Sequence, residues 1–97
     1  MRTITPDGKL WVEQSPAGKS VRIGITEDYH RTLGVVWNLI LRDGAIQEGR
    51  PFATAESSKC LVSFYSPVKG TIVNFNMNLV EHPDTLNPDD FIVQVAV

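Results

Sequence analysis

A lysine and a cysteine stand side by side in a short polar stretch, Glu56-Ser57-Ser58-Lys59-Cys60. The amine of a lysine can be converted to an amide that carries a group such as lipoamide or biotin on a long flexible arm. A neighbouring thiol could exchange with a disulfide once it is deprotonated. A lysine at a turn also has a simpler interpretation, because lysine commonly keeps a turn hydrated. The segments on either side of the stretch bear on which interpretation holds.

Two segments with strand-like patterns flank this stretch. Phe52 to Glu56 alternates alanine with larger residues, and Cys60 to Ser66 is rich in branched and aromatic residues. Pro51 and Pro67 each lie eight residues from Lys59. Proline lacks a donor for a strand ladder, so both prolines suit strand starts or edges. The pattern predicts a β-hairpin that displays Lys59 at its tip.

The rest of the chain consists mainly of short strand signals. Thr26 is a suitable N-cap for a short helix that ends at Gly34. Val35 to Leu41, a branched and aromatic run, predicts a central strand with both faces covered. Asn76 to Asp90 is polar and predicts a loop with one helical turn. Further strands are predicted at Leu10 to Gln14, Val21 to Ile25, Thr71 to Phe75 and Phe91 to Val97. The succession indicates an all-β sandwich or barrel with one or two short helices.

Composition narrows the functional classes. A chain of 97 residues fits one domain, here residues 1–97, with a single modest core. With 9 basic and 11 acidic residues the net charge is −2, which disfavours nucleic acid as a partner. One cysteine allows no internal disulfide, and the first residues lack an apolar signal region. No apolar run is long enough to span a membrane, so a cytoplasmic protein is expected.

The residues that most often form catalytic or metal sites are poorly spaced for either purpose. His30 and His82 have no ligand-spaced cysteine, histidine or carboxylate beside them, so no metal is expected. A catalytic pair with Cys60 would need a histidine brought close by folding. Glu27 and Asp28 suit the first turn of a helix. The sequence therefore favours a carrier or an interaction module over an enzyme.

Several ordered motifs resemble one family of carriers. Glu56 to Lys59, followed by Tyr65-Ser66-Pro67-Val68-Lys69-Gly70, resembles the lipoyl-lysine hairpin of glycine cleavage system H proteins. Gly24-Ile25-Thr26 with Leu33-Gly34 resembles the short-helix segment of that family. The segment after the hairpin fits the family pattern at Asn76, Leu79, Pro83, Leu86 and Asn87. The similarity runs from about Trp11 to Asp90, which is most of the chain.

The resemblance implies a flattened β-barrel or sandwich of the biotinyl/lipoyl type, with lipoate attached covalently to Lys59. Biotin carriers place methionine on both sides of the lysine, whereas Ser58 and Cys60 stand there in this chain. The resemblance also implies that the protein is a cofactor-carrying substrate of its partner enzymes, including dihydrolipoyl dehydrogenase. A lipoate-protein ligase or lipoyl transferase would modify it. The residues implied in recognition by that enzyme are Glu56, Ser57 and Gly70, with Gly70 allowing a tight turn. Cys60 is a hypothetical redox neighbour of the lipoyl group, on the ground of its adjacency to Lys59 alone.

Three functions remain open at this stage. The first is a shortened H-like protein that relays lipoyl-bound groups or electrons, in a bacterial redox-response module with ADP-ribosylating and macrodomain proteins, where Glu27 or Asp28 would accept ADP-ribose. Departures from the family pattern at Lys9-Leu10-Trp11 and after Asp90 favour this hypothesis. The second is a conventional H protein that carries the aminomethyl group between glycine decarboxylase and aminomethyltransferase. The third is an unmodified β-barrel interaction module in which Lys59 is only hydrated.

Overall fold

The computed structural model describes residues 2–97, in which β-strands dominate the regular structure. In chain order the elements are β1 (Arg2–Ile4), β2 (Leu10–Gln14), β3 (Ser20–Ile25), α1 (Glu27–Leu33), β4 (Val36–Leu41), β5 (Ala45–Ile46), β6 (Pro51–Ser57), β7 (Leu61–Tyr65), β8 (Gly70–Phe75), α2 (Met77–Glu81), a 3-10 helix (Pro83–Thr85) and β9 (Val93–Ala96).

The strands form two antiparallel sheets that face each other across one core. The larger sheet has six strands in the order β1-β2-β3-β9-β8-β5, and the smaller has three in the order β4-β6-β7. The side chains between them come from the inward face of each strand, and almost all of them are apolar. The most deeply buried are Ile23, Ile25, Leu33, Phe52, Phe64, Leu79, Ile92, Val93 and Val95. The mainly β sandwich with short helices, expected from the sequence, is confirmed.

Helix α1 has the two ends that the sequence predicts. The Tyr29 backbone N–H donates to Thr26 Oγ1 at 3.2 Å, which satisfies one of the free donors of the first turn. Gly34 ends the helix with a φ of 71°, a conformation that glycine adopts without strain. Tyr29 and Leu33 share the buried face of the helix. Helix α1 therefore packs against the core and ends beside the hairpin of β6 and β7.

The prediction of a central strand over Val35 to Leu41 is wrong. Strand β4 lies at the edge of the smaller sheet, and only its inner face is covered. Trp37 is 59% exposed and Ile40 is 54% exposed. A run of branched and aromatic residues favours two covered faces, but within residues 2–97 no second layer packs on the outer face of the smaller sheet. The predicted loop over Asn76 to Asp90 contains two short helices rather than one turn.

The explanation of Gly70 by a tight turn is also wrong. Gly70 is the first residue of β8 and is not among the glycines with positive φ. A Cβ at this position would lie 2.2 Å from the Ala96 carbonyl oxygen and 2.7 Å from Val95 Cγ1. Glycine is required here because β8 approaches β9 closely, and not because the backbone turns.

Candidate functional site

The hairpin of β6 and β7 ends in a two-residue turn with Lys59 at its centre. Glu56 pairs with Leu61, and the Ser57 backbone N–H donates to the Cys60 carbonyl at 2.9 Å. Ser58 and Lys59 are thereby left as the central residues of the turn, and both are exposed. The hairpin predicted from the sequence is confirmed, with Lys59 at its tip.

The hydroxyl of Ser57 shapes this turn from inside. Ser57 Oγ accepts hydrogen bonds from the backbone N–H groups of Lys59 at 3.2 Å and of Cys60 at 3.1 Å. A serine side chain that accepts from residues two and three positions later replaces bonds that the turn would otherwise leave to water. Ser57 therefore fixes the backbone on both sides of the displayed lysine.

A Ser57→Ala variant should lower the free energy of unfolding by about 1 kcal/mol, because two backbone donors lose their acceptor in a half-buried place. Urea denaturation monitored by tryptophan fluorescence measures the change. Ser58→Ala is the matched control, since Ser58 is exposed and its side chain makes no hydrogen bond in the described part of the chain. Equal losses for the two variants would contradict the role given to Ser57.

The tip is braced against the segment that follows α1. The Ser58 backbone N–H donates to the Val35 carbonyl at 3.2 Å. A Cβ built on Gly34 would lie 3.5 Å from Lys59 Cε and 3.6 Å from Lys59 Cδ, so the aliphatic stem of the lysine lies over Gly34. Within residues 2–97 no carboxylate forms an ion pair with the Lys59 ammonium group. The lysine is thus held at its base and has a free amine.

Cys60 lies partly beneath the tip. Its side chain is half-buried against the core, and its Sγ lies 3.6 Å from Ser57 Oγ. Burial raises the pKa of the Tyr29 phenol above its ordinary value, and electrostatic repulsion from Cys60 and Asp7 raises it further. The thiol adjoins the displayed lysine in the chain but points toward the protein.

Glu56 is held by the neighbouring strand. Asn38 Nδ2 on β4 donates to Glu56 Oε1 at 2.9 Å. Glu56 is half-buried. The carboxylate therefore has a fixed position on the outer face of the smaller sheet. The pair Glu56–Leu61 directly precedes the pair Ser57–Cys60 that closes the turn.

The structure does not bring the other predicted site residues to the tip. Glu27 and Asp28 lie in the first turn of α1, where both pair with Arg31, Glu27 Oε1 at 3.3 Å from Arg31 Nη1. Lys59 contacts Gly34 at the other end of that helix, about 10 Å away at the usual rise per residue. Gly70 belongs to the larger sheet, beside β9.

An open groove of about 520 Å³ begins at Gly34 and was not predicted from the sequence. Its lining is largely apolar and comes from α1, from the start of β4 and from the 3-10 helix. The lining residues are His30, Arg31, Gly34, Val35, Val36, Asp84, Thr85, Leu86 and Asn87. No local signal could have revealed this groove, because its two walls lie about 50 residues apart in the chain. It offers apolar surface next to the stem of Lys59.

No group of three or more His, Cys, Asp or Glu side chains within residues 2–97 is placed to hold a metal ion. In the same part of the chain, no helix has the length and apolar character needed to cross a membrane.

Comparison with known proteins gives a consistent result. The family described as glycine cleavage H-protein matches residues 3–95. A glycine cleavage system H protein from Rubrobacter xylanophilus is 36% identical over 76 residues, covering 76% of this chain and 60% of that protein. A glycine cleavage system H-like protein from Chlamydia pneumoniae is 35% identical over 69 residues, covering 69% of this chain and 60% of that protein.

A solved structure is also similar. The crystal structure of a glycine cleavage system H protein from Mycobacterium marinum superposes with a TM-score of 0.83 at 25% identity, covering 98% of this chain and 82% of that one. The sequence matches to the Rubrobacter and Chlamydia proteins each span 60% of the relative's length.

Proposed function

Because the chain belongs to the glycine cleavage H-protein family, we propose that it is a lipoyl carrier with lipoate attached through an amide bond to Nζ of Lys59. The observation that carries this proposal is the position of Lys59, exposed at the centre of a two-residue turn and braced at its base. Amide formation removes the charge of the lysine. Since no carboxylate of residues 2–97 pairs with that charge, its loss breaks no ion pair.

The chain's own residues would hold the base of the arm and leave its end free. Ser57 fixes the turn, Gly34 lies under the stem of Lys59, and the Val35 carbonyl accepts from the tip. Bound lipoate supplies a dithiolane that accepts and passes on electrons or carbon groups. The groove that begins at Gly34 offers the arm an apolar resting surface. Catalysis then belongs to the partner enzymes, and the protein is their substrate, in a cytoplasmic setting.

Recognition by a lipoate-protein ligase or lipoyl transferase is proposed to involve the residues around the tip. Glu56 has a fixed carboxylate on the outer face, and Ser57 sets the conformation in which the lysine is presented. Gly70 would act at a distance, by keeping β8 and β9 in place behind the hairpin. Of the three, Glu56 is the one whose side chain a ligase could contact directly.

Incubation of the purified chain with lipoate, ATP and a lipoate-protein ligase tests the proposal. The expected result is the mass of one lipoyl group added to every molecule. A biotin-protein ligase with biotin serves as the control and should add nothing, since the residues flanking Lys59 are serine and cysteine. No addition by a ligase that modifies a standard lipoyl domain in the same tube would contradict the proposal.

Two pathways remain for a lipoylated chain. In ordinary glycine cleavage it would pass the aminomethyl group from glycine decarboxylase to aminomethyltransferase and be reoxidised by dihydrolipoyl dehydrogenase. In a relay it would serve dihydrolipoyl dehydrogenase without glycine decarboxylase. Exchange of bicarbonate into glycine, measured with glycine decarboxylase and the lipoylated chain, separates them, because only the first pathway requires it.

The relay hypothesis includes modification by an ADP-ribosylating protein and recognition by a macrodomain protein. Its structural support is the exposure of Glu27 and Asp28, whose side chains are 77% and 85% exposed on helix α1, which ends at Leu33. The double variant Glu27→Gln with Asp28→Asn should lose ADP-ribose transfer, whereas Glu81→Gln on α2 should retain it. Retention in the double variant would refute these acceptors.

Cys60 is proposed as a redox neighbour of the attachment site. Its thiol adjoins Lys59 but is half-buried under Ser57, so exchange would require the tip to open. A Cys60→Ser variant should then show slower redox cycling of the lipoylated chain with dihydrolipoyl dehydrogenase. An unchanged rate would leave Cys60 with a packing role only.

A further inference from the structure

Three of the five arginines of the chain have a partner within the protein. Arg2 and Arg31 each pair with a carboxylate, at 3.1 and 3.3 Å. Arg22 lies over an aromatic ring, 4.6 Å from its centroid. Arg42 and Arg50 are exposed, and within residues 2–97 their side chains form no ion pair, hydrogen bond or ring contact. Their guanidinium donors are therefore open to a ligand.

The two arginines without a partner line the same open cleft, which has a volume of about 360 Å³. This volume lies within the range of about 300 to 1,000 Å³ that is usual for small-molecule sites. The cleft is largely polar and is formed by the residue after β4, by β5 and by the turn that precedes β6. No carboxylate lines it. The other lining residues are Ala45, Ile46, Gln47 and Pro51.

Backbone hydrogen bonds hold both arginines in place. The Arg42 N–H donates to the Phe52 carbonyl at 2.9 Å. The Arg50 N–H donates to the Gln47 carbonyl at 3.0 Å, and the Arg50 carbonyl accepts from the Ser66 N–H at 2.8 Å. Since these backbone groups are already bonded, a ligand in the cleft would be recognised by side chains. The available donors are two guanidinium groups and the amide of Gln47.

The charges around the cleft determine the kind of ligand that fits. Two guanidinium groups on one cleft repel each other, and an anion between them offsets that repulsion. A phosphate monoester carries a charge of about −1.5 to −2 at neutral pH, which matches two arginines, whereas a carboxylate matches only one. Guanidinium also binds phosphate through two parallel hydrogen bonds. Exposed Asp43 and Glu48 lie within two residues of the arginines along the chain and would repel a polyanion, so a single phosphate group fits better than a nucleic acid.

We propose that this cleft binds a phosphate dianion, free or as the monoester of a small molecule, between the side chains of Arg42 and Arg50. The site lies at the opposite end of β6 from Lys59. The seven residues of β6 span about 23 Å at the usual rise of a strand. Binding would therefore neither require lipoylation nor block the tip, and the proposal does not rest on the carrier function.

Titration of the full chain with sodium phosphate, followed through the backbone amide signals in NMR spectra, tests the proposal. The ionic strength is held constant with sodium chloride at about pH 7.5, where phosphate is mainly a dianion. Because both arginines are exposed, we expect weak saturable binding with a Kd on the order of 1 to 10 mM. Arg42→Gln and Arg50→Gln should each raise the Kd at least about fivefold, because each removes one of the two guanidinium groups. A lower Kd for phenyl phosphate than for inorganic phosphate would support a monoester, and an equal Kd would support the free anion.

Arg22→Gln is the matched control. It removes the same charge from β3, which lies three strands from β5 in the larger sheet, about 14 Å at the usual strand spacing. Its Kd for phosphate should equal that of the wild type, because exposed charges so far apart are largely screened. Acetate at the same ionic strength should bind at least about fivefold more weakly than phosphate, since it carries one charge. Equal binding of acetate, an equal loss in Arg22→Gln, or the absence of saturable shifts up to about 50 mM phosphate would each overturn the proposal.

Discussion

A Lys59→Arg variant is expected to lose lipoyl incorporation completely while keeping its fold. The guanidinium group stays protonated at any accessible pH, so it offers no amine for an amide bond. Charge and stem length are largely preserved, and the hydrogen bonds that shape the turn come from the backbone and from Ser57. Intact mass after the ligase reaction measures the result directly.

Lys19→Arg is the matched control for this experiment. Lys19 is an exposed lysine beside the turn between β2 and β3, so it offers a ligase a similar amine in a different local structure. This variant should be modified as fully as the wild type. A lipoyl group on the Lys59→Arg variant, or a loss of modification in the Lys19→Arg variant, would contradict the assignment of Lys59.

A Phe64→Ala variant is expected to lower the free energy of unfolding by about 3 to 5 kcal/mol, a large part of the 5 to 15 kcal/mol typical of a domain. Phe64 is 2% exposed, and its ring packs edge-on against Tyr29 at a centroid distance of 5.8 Å. It also lies 6.2 Å from the ring of Phe52. Its removal would leave a cavity that separates the displaying hairpin from α1.

Urea denaturation at low protein concentration measures this loss. The control is Tyr65→Ala, the next residue of the same strand, which is 57% exposed. It should change the free energy of unfolding by no more than about 0.5 kcal/mol, because an exposed side chain gives up little on truncation. Comparable losses in the two variants would mean that β7 is not anchored through Phe64.

The hairpin and α1 could be predicted because their signals are local. The hairpin is indicated by alternating residues, a polar tip and two flanking prolines. Helix α1 is indicated by its two caps, Thr26 and Gly34. Strands β1 and β5, with three and two residues, are too short for any period to be recognised.

Other parts of the site depend on contacts between distant segments, and sequence pattern alone does not determine these. The stem of Lys59 rests on Gly34, 25 positions earlier, and the groove beside it needs the 3-10 helix to fold back. Trp37 and Ile40 are predicted to be covered but are exposed. The prediction fails because the composition of a strand does not determine whether a second layer packs on it. Gly70 is explained by its approach to β9, a partner that only the folded sheet identifies.

The most direct test of the carrier function is the intact mass of the protein purified from its own host, with fragmentation between Ser57 and Cys60 to locate any adduct. The account predicts a lipoyl group on Lys59. An unmodified Lys59 in cells whose other lipoyl proteins are fully modified would contradict it, and would favour the unmodified interaction module.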